Sequence, residues 1–128
     1  MMKRRLIPLV LVVLLLTPAL ALALSEETFK VDTTADLVGL CSAPVSNPLH
    51  KGAHNFCLGF LEGAYHYHVV ANMGPSGRRL VCLPDSAPRR DAVASRFVEW
   101  AGQHPEYLSE EPVDSWFRFL IETYPCPE

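Results

Sequence analysis

The sequence lacks the short motifs that mark common catalytic sites. It has no G-x-S-x-G nucleophile elbow. Its stretch Gly74-Pro75-Ser76-Gly77 has neither the lysine nor the spacing of a phosphate-binding loop. The four cysteines include no C-x-x-C pair, which is the usual spacing of paired zinc ligands. These absences argue against an enzyme and against a structural zinc site.

Long apolar runs are also missing, except at the N-terminus. Residues 1–5 are short and basic, residues 6–20 are almost wholly apolar, and small residues follow at 19–23. This order predicts a secretory signal peptide at residues 1–23, cleaved after Ala21 or Ala23. The alternative is a retained membrane anchor, because the apolar run approaches the roughly 17–25 residues that span a bilayer. Cleavage would leave a periplasmic protein with no membrane contact.

Basic side chains are few in residues 24–128. Cleavage after residue 23 removes three of the 11 Lys and Arg residues and none of the 14 Asp and Glu residues, leaving a net charge of about −6. Proteins that bind nucleic acids neutralise phosphates with clustered Lys and Arg. The charge balance therefore argues against a nucleic-acid partner. A chain of this length predicts one domain over residues 24–128.

The cysteines predict two disulfides, because an even number of cysteines in an exported chain reads as a covalent framework. Residues 72–81 can extend about 33 Å, whereas a helix from Cys57 to Asn72 is about 22 Å long. A connection that runs back along that helix would bring Cys82 to Cys57. This layout favours Cys57–Cys82 with Cys41–Cys126. Cys41–Cys57 with Cys82–Cys126 remains an alternative.

Apolar spacing of three and four residues predicts four helices and little else. The first begins at a threonine cap, Thr33 or Thr34, and includes Cys41. The second continues to about Asn72, the third is capped by Asp85 or Ser86, and the last begins at Ser109. The last helix has the clearest apolar stripe, formed by Val113, Trp116, Phe117, Leu120, Ile121 and Tyr124. The predicted fold is all-α, a compact bundle of about four helices with two disulfides.

Two glycines interrupt the predicted central helix. Gly59 and Gly63 lie four residues apart, and each costs roughly 1 kcal/mol of helix stability relative to alanine. Glycine is favoured where another backbone approaches closely. We therefore expect a neighbouring segment to pack against this face.

Histidine offers the only pattern that favours a metal. His50 and His54 are four residues apart near a helix start, which can place two imidazoles on one face. His66 and His68 point about 200° apart on a helix and would not chelate together. Histidines at a helix rim are the favoured interpretation. No cofactor is expected.

Five segments, taken in order, resemble the landmarks of the Rap/Tai immunity proteins of type VI secretion. They are Asp36-Leu37 to Leu40-Cys41-Ser42, Phe56-Cys57-Leu58-Gly59-Phe60 to Gly63, Val81-Cys82-Leu83-Pro84, His104-Pro105-Glu106 and Tyr124-Pro125-Cys126. The resemblance implies a periplasmic, helical, disulfide-bonded protein, often a homodimer. It also implies an inhibitor that obstructs the Cys–His active-site cleft of a peptidoglycan amidase effector.

The long connection after the central helix is the predicted contact with such an effector, because binding residues concentrate on loops held by a rigid scaffold. Its arginines suit carboxylates around a cleft. The predicted residues are Asn72, Gly74, Pro75, Ser76, Gly77, Arg78 and Arg79. The alternatives for the whole protein are a periplasmic stress or chaperone-like binding protein and, third, a metal-binding protein that uses His50 and His54.

Overall fold

The computed structural model describes residues 24–128, and the predicted signal peptide lies outside them. Four α-helices form the body of the molecule: α1 Thr34–Cys41, α2 His50–Ala71, α3 Arg90–Gln103 and α4 Pro112–Thr123. Short 3-10 helices cover Glu26–Lys30 and Pro105–Tyr107. The predictions of an all-α fold and of two disulfides are confirmed. Within the described residues, no helix is both long and apolar enough to cross a membrane.

The start of α1 is capped as predicted, and it also forms hydrogen bonds with residues that are distant in sequence. The Thr33 side chain accepts a hydrogen bond from the Asp36 amide, and the Asp36 carboxylate accepts one from the Thr33 amide. Such a cap satisfies amides that have no partner within the helix. The Thr34 amide donates to the Glu110 carbonyl at 2.9 Å, and the Thr34 hydroxyl donates to Ser115 at 2.7 Å. The first and last helices are therefore joined by buried polar contacts.

Aromatic rings form the centre of the core. Phe97 on α3 is fully buried, and its ring lies 5.3–6.3 Å from the rings of Trp116, Phe119 and Trp100. Edge-to-face and offset arrangements at such separations add to the free energy gained from burial. The indole nitrogen of Trp116 is buried without a hydrogen-bond partner. The centre of the α3–α4 contact therefore rests on shape and apolar area, and a hydrogen bond from Trp100 to Glu122 lies at its edge.

The last two helices begin later than predicted. The α3 helix starts at Arg90 rather than after Asp85 or Ser86, because Pro88 disfavours helical torsions at the preceding residue. The α4 helix starts with Pro112 in its first turn, where a proline loses no hydrogen bond, and Ser109 does not cap it.

The buried face of α4 is rotated relative to the predicted stripe. Val113 and Ile121 are exposed, whereas Ser115 and Phe119 are buried beside Trp116. The contact between Ser115 and α1 turns this polar position inward. Three of the six predicted positions, Trp116, Leu120 and Tyr124, are buried.

The favoured disulfide pairing is wrong, and the alternative pairing is present: Cys41–Cys57 and Cys82–Cys126. A short connection joins α1 to α2, and it brings the Cα atoms of Cys41 and Cys57 to 5.1 Å. The segment after the long loop does return along α2, but it then pairs with the chain that follows α4. Val81 forms an antiparallel bridge with Pro125, and the Cys82 amide donates to the Tyr124 carbonyl at 3.0 Å. This pairing places Cys82 beside Cys126.

The expected neighbour of the α2 glycines is absent from the described chain. Beyond the helix's own backbone, no atom of residues 24–128 lies within 4 Å of a Cβ built at Gly59 or Gly63. Both glycines are exposed, on the side of α2 opposite the buried residues Cys57 and Leu61. The cost of these glycines to α2 is therefore not offset by a contact within this part of the chain.

Candidate functional site

The predicted binding residues form one exposed loop between α2 and the Val81 bridge. We call residues 72–79 the binding loop. Gly74 has φ of +97°, which few residues other than glycine adopt, and its carbonyl accepts the Gly77 amide at 3.2 Å. A Cβ at Gly77 would overlap the main-chain oxygen of Asn72. The two glycines therefore allow a tight turn at the tip of the loop.

The base of the binding loop is fixed to the last turns of α2. The Asn72 side-chain nitrogen donates to the His68 carbonyl at 2.8 Å. On the returning side, Arg79 donates to the Tyr65 hydroxyl at 3.3 Å, and the Leu80 amide donates to His68 Nε2 at 3.2 Å. The Cys82–Cys126 disulfide fixes the chain beyond it. An exposed tip on an anchored base suits a binding loop, because less conformational freedom is lost on binding.

The charge on the binding loop is positive, although residues 24–128 carry a net negative charge. Neither Arg78 nor Arg79 lies within ion-pair distance of a carboxylate in the described chain, whereas Arg89, Arg90 and Arg118 each bind one. Guanidinium groups bind carboxylates through paired hydrogen bonds. The loop therefore offers two cations that are available to an acidic partner.

Exposed apolar side chains lie on the last turns of α2, within the binding loop and directly after it. Tyr67 and Met73 are 76% and 70% exposed, and Val70 and Leu80 are also exposed. Tyr67 and Val70 share one side of α2, and neighbouring exposed apolar side chains are typical of protein-binding sites. The sequence interpretation missed Tyr67, Val70 and Leu80 as contact candidates, and it did not single out Met73 within the predicted loop. Tyr67 and Val70, three residues apart and off the buried stripe of α2, gave a usable signal.

His68 has an environment different from that of the other histidines. It is buried, and its ring centroid lies 5.0 Å from that of Phe117 on α4. Burial lowers the pKa of the His68 imidazole below its usual 6.5, and the nearby Arg79 guanidinium lowers the pKa further. The rim interpretation of this histidine is therefore wrong. His68 lies two turns beyond Leu61 and one turn beyond Ala64 on the apolar stripe of α2, and this spacing predicts burial.

The internal spaces are poor sites for a substrate. A cleft between α2, α3 and α4 has a volume of about 60 Å³, far below the roughly 300–1,000 Å³ of most ligand pockets. A shallower groove of about 350 Å³ lies beside Trp100, Tyr107 and Arg118. Its polar groups already bind one another, as Trp100 donates to Glu122 at 3.0 Å and Arg118 covers the Tyr107 ring.

The described residues contain neither a free cysteine nor a cluster of metal ligands. All four cysteines are in disulfides, so none is a free thiolate nucleophile. The His50 and His54 rings stack at 5.9 Å, and His50 Nδ1 bonds the Ala43 carbonyl at 2.7 Å. No group of three His, Cys, Asp or Glu side chains in residues 24–128 is placed to hold a metal ion. The exposed binding loop remains the most distinctive feature.

A protein-family model described as Rap1a immunity proteins matches residues 33–126. No curated protein and no solved structure matches the chain. The matched range includes all four helices, both disulfides and the whole binding loop.

Proposed function

This chain belongs to the Rap1a immunity protein family, and from that premise we propose that it is a periplasmic immunity protein that binds and inhibits a type VI-secreted peptidoglycan amidase. The family match over residues 33–126 is the observation that carries the proposal. The secretion pattern of residues 1–23 supports the location, and so do the two disulfides, since such bonds persist outside the reducing cytosol.

Inhibition would take place through the binding loop, which would enter the active-site cleft of the amidase. Three features support this role: the exposed glycine turn at the tip, the two arginines without carboxylate partners, and the anchored base. The tip provides a narrow projection, the arginines pair with carboxylates at the cleft rim, and the exposed Met73 and Leu80 side chains add contact area. The protein would act stoichiometrically and would turn over no substrate.

A rescue experiment tests the proposed function. Cells that direct to their periplasm a Cys–His amidase encoded beside this gene should lyse, and coexpression of the full chain should restore growth. The chain without residues 1–23 should fail to rescue, because it would stay in the cytoplasm. An amidase without its catalytic cysteine should be harmless yet still form a one-to-one complex with the chain. If there is neither rescue nor a complex, the proposal is wrong; protection of unrelated clients from aggregation would favour the chaperone-like alternative.

Replacing both loop arginines should weaken amidase binding. We expect Arg78→Ala/Arg79→Ala to raise Kd by more than tenfold, since each lost charge-assisted contact is worth on the order of 1 kcal/mol or more. Calorimetric titration measures the change. Lys51→Ala/Arg89→Ala removes the same net charge away from the loop and should change Kd by less than about threefold. Equal losses in the two variants would indicate a long-range charge effect, and unchanged affinity in the first would rule out the loop arginines.

The exposed glycines support a second proposal, that the protein forms a homodimer through α2. Gly52, Phe56, Gly59 and Gly63 lie along one side of the helix, which we call the glycine face, and Phe56 is partly exposed there. Two copies related by a twofold axis would place these faces against each other. Glycine permits the close backbone approach that no segment of residues 24–128 makes. A second copy would then occupy this space.

Alanine at these glycines should stabilise the monomer and weaken the dimer. We expect Gly59→Ala/Gly63→Ala to raise the free energy of unfolding by about 1 kcal/mol per site, because alanine favours the helix and meets no neighbour. Urea unfolding at low concentration measures this gain, and sedimentation equilibrium measures self-association. Gly102→Ala, at an exposed glycine of α3, is the control that should leave self-association unchanged. A monomeric parent protein, or an unaffected dimer, would contradict the proposed interface.

A further inference from the structure

His68 lies at the junction of α2, α4 and the returning side of the binding loop. Of the five histidines, it alone is buried, with 9% of its surface exposed. The Leu80 amide points at its Nε2 from 3.2 Å. A main-chain N–H can only donate, so Nε2 must be the acceptor. In the neutral ring the proton therefore resides on Nδ1. The Asn72 side-chain nitrogen, 3.2 Å from Nδ1, then makes no hydrogen bond to the ring and donates to the His68 carbonyl at 2.8 Å instead.

The hydrogen bond from the Leu80 amide to His68 is one of few that fix the returning side of the binding loop. In the described chain, residues 78–80 make two hydrogen bonds to α2, from Arg79 to Tyr65 and from Leu80 to His68. Protonation of His68 would place a hydrogen on Nε2, opposite the Leu80 N–H. Two donors then face each other and the bond is lost. A partly buried amide without a partner is costly, which favours movement of Leu80 toward water.

The charges around His68 give the protonated ring no compensation. From the loop, Arg79 adds a second cation. From α4, the contact is the uncharged Phe117 ring, and the helix's Asp114 is paired with Arg118 at 2.7 Å.

On α2 itself, the Glu62 carboxylate binds His66 at 3.0 Å and Arg90 at 2.8 Å. No carboxylate of residues 24–128 lies within ion-pair distance of His68. No charged side chain of residues 24–128 therefore favours a positive imidazolium at this place; the one favourable contribution is the dipole of α2, because His68 lies in its last turn.

We propose that His68 is a positioning residue for the binding loop, and that its protonation detaches Leu80 from α2 and thereby weakens effector binding in acid. Only the effect on effector binding rests on the proposed function. The detachment is a property of the chain alone.

The direction of the pH effect follows from the lowered pKa of His68. A ring that is harder to protonate in the attached state stabilises that state fully above the ordinary pKa of 6.5. This contribution is lost as pH falls through the lower pKa of the attached state. The attached loop should therefore persist at neutral pH and open as pH falls through the lowered pKa of His68 in the attached state.

Nitrogen-15 NMR of the full mature chain tests the attachment without an effector. Between pH 7.5 and 5.0, the hydrogen-exchange protection of the Leu80 amide should fall at least tenfold, with the same midpoint as the His68 ring signals. His68→Gln supplies an acceptor that does not titrate and should abolish this dependence. His66→Gln changes an exposed neighbour and should leave it intact. If the Leu80 protection is independent of pH while the His68 ring titrates, the proposal is wrong.

Amidase binding provides the second readout. Wild-type affinity should fall more than fivefold from pH 7.5 to pH 5.5 relative to any change seen with His68→Gln. Equal pH dependence in both proteins overturns the effect on binding. If no amidase binds at any pH, the proposed function fails, and the Leu80 measurement still decides the attachment. If His68→Gln does not fold, the wild-type protein still tests the attachment: the pH midpoint of Leu80 protection should equal that of the His68 ring signals, and unequal midpoints reject the proposal.

Discussion

Replacing Cys82 and Cys126 together by alanine is expected to lower the free energy of unfolding by about 4 kcal/mol. Their disulfide joins residues 44 apart in sequence, and the unfolded chain gains conformational entropy when this closure is removed. Urea unfolding followed by circular dichroism measures the loss. Since small domains have a total stability on the order of 5–15 kcal/mol, this variant should be close to the limit of stable folding.

The other disulfide provides the comparison. Cys41–Cys57 joins residues only 16 apart, for which the same entropy argument gives about 3 kcal/mol. The local effects should also differ. Without Cys82–Cys126, the Cys82 amide should exchange faster with solvent, whereas the amides of α1 should keep their protection. A loss below about 1 kcal/mol, or equal deprotection of α1, would show that this disulfide does not act by closing the chain.

Phe97→Ala is expected to destabilise the fold by about 4 kcal/mol. The Phe97 side chain is fully buried, and three aromatic rings surround it. Removing the ring forfeits its transfer free energy and leaves a cavity that these rigid neighbours cannot fill. Thermal and urea unfolding measure the loss, and near-ultraviolet circular dichroism should show weaker ordering of Trp100 and Trp116.

Two variants serve as controls for this prediction. Phe97→Leu keeps much of the volume and should lose clearly less stability than Phe97→Ala. Ile121→Ala removes a partly exposed side chain from α4 and should cost less than about 1 kcal/mol. If Ile121→Ala is as damaging as Phe97→Ala, the core is not centred where the ring contacts place it.

The helices could be predicted from the sequence because caps and apolar stripes are local patterns. Thr33 and Asp36 provide their own cap. The apolar stripe of Val93, Phe97, Trp100 and Ala101 predicts the buried face of α3 except at one position, where Ala94 rather than Val93 is buried. The rotation of α4 was not readable, because Ser115 is turned inward by a hydrogen bond to Thr34, which is distant in sequence. The disulfide pairing failed for the same reason. The observed pairing depends on the Val81–Pro125 bridge, which no local sequence pattern predicts.

The candidate site was predictable as a loop but not as an anchored one. Gly74, Pro75 and Gly77 identify a turn, and Arg78 and Arg79 identify its charge. The contact between Leu80 and His68 joins two segments through tertiary packing, so spacing along α2 could suggest only that His68 is buried. For the glycines of α2, Gly59 and Gly63, in contrast, the sequence predicted a contact that the described chain does not make.

The polar contacts at the start of α1 have a consequence for the order of folding. The Thr34–Ser115 hydrogen bond spans 81 residues, and the amides of Thr34 and Ala35 bind the carbonyls of Glu110 and Leu108. Contacts this distant in sequence slow folding, because most of the polypeptide must first be brought together. As the chain emerges from a ribosome or a translocation channel, these contacts of α1 cannot form until residues 108–115 have also emerged. Nascent fragments that stop before Leu108 should therefore stay open to proteases.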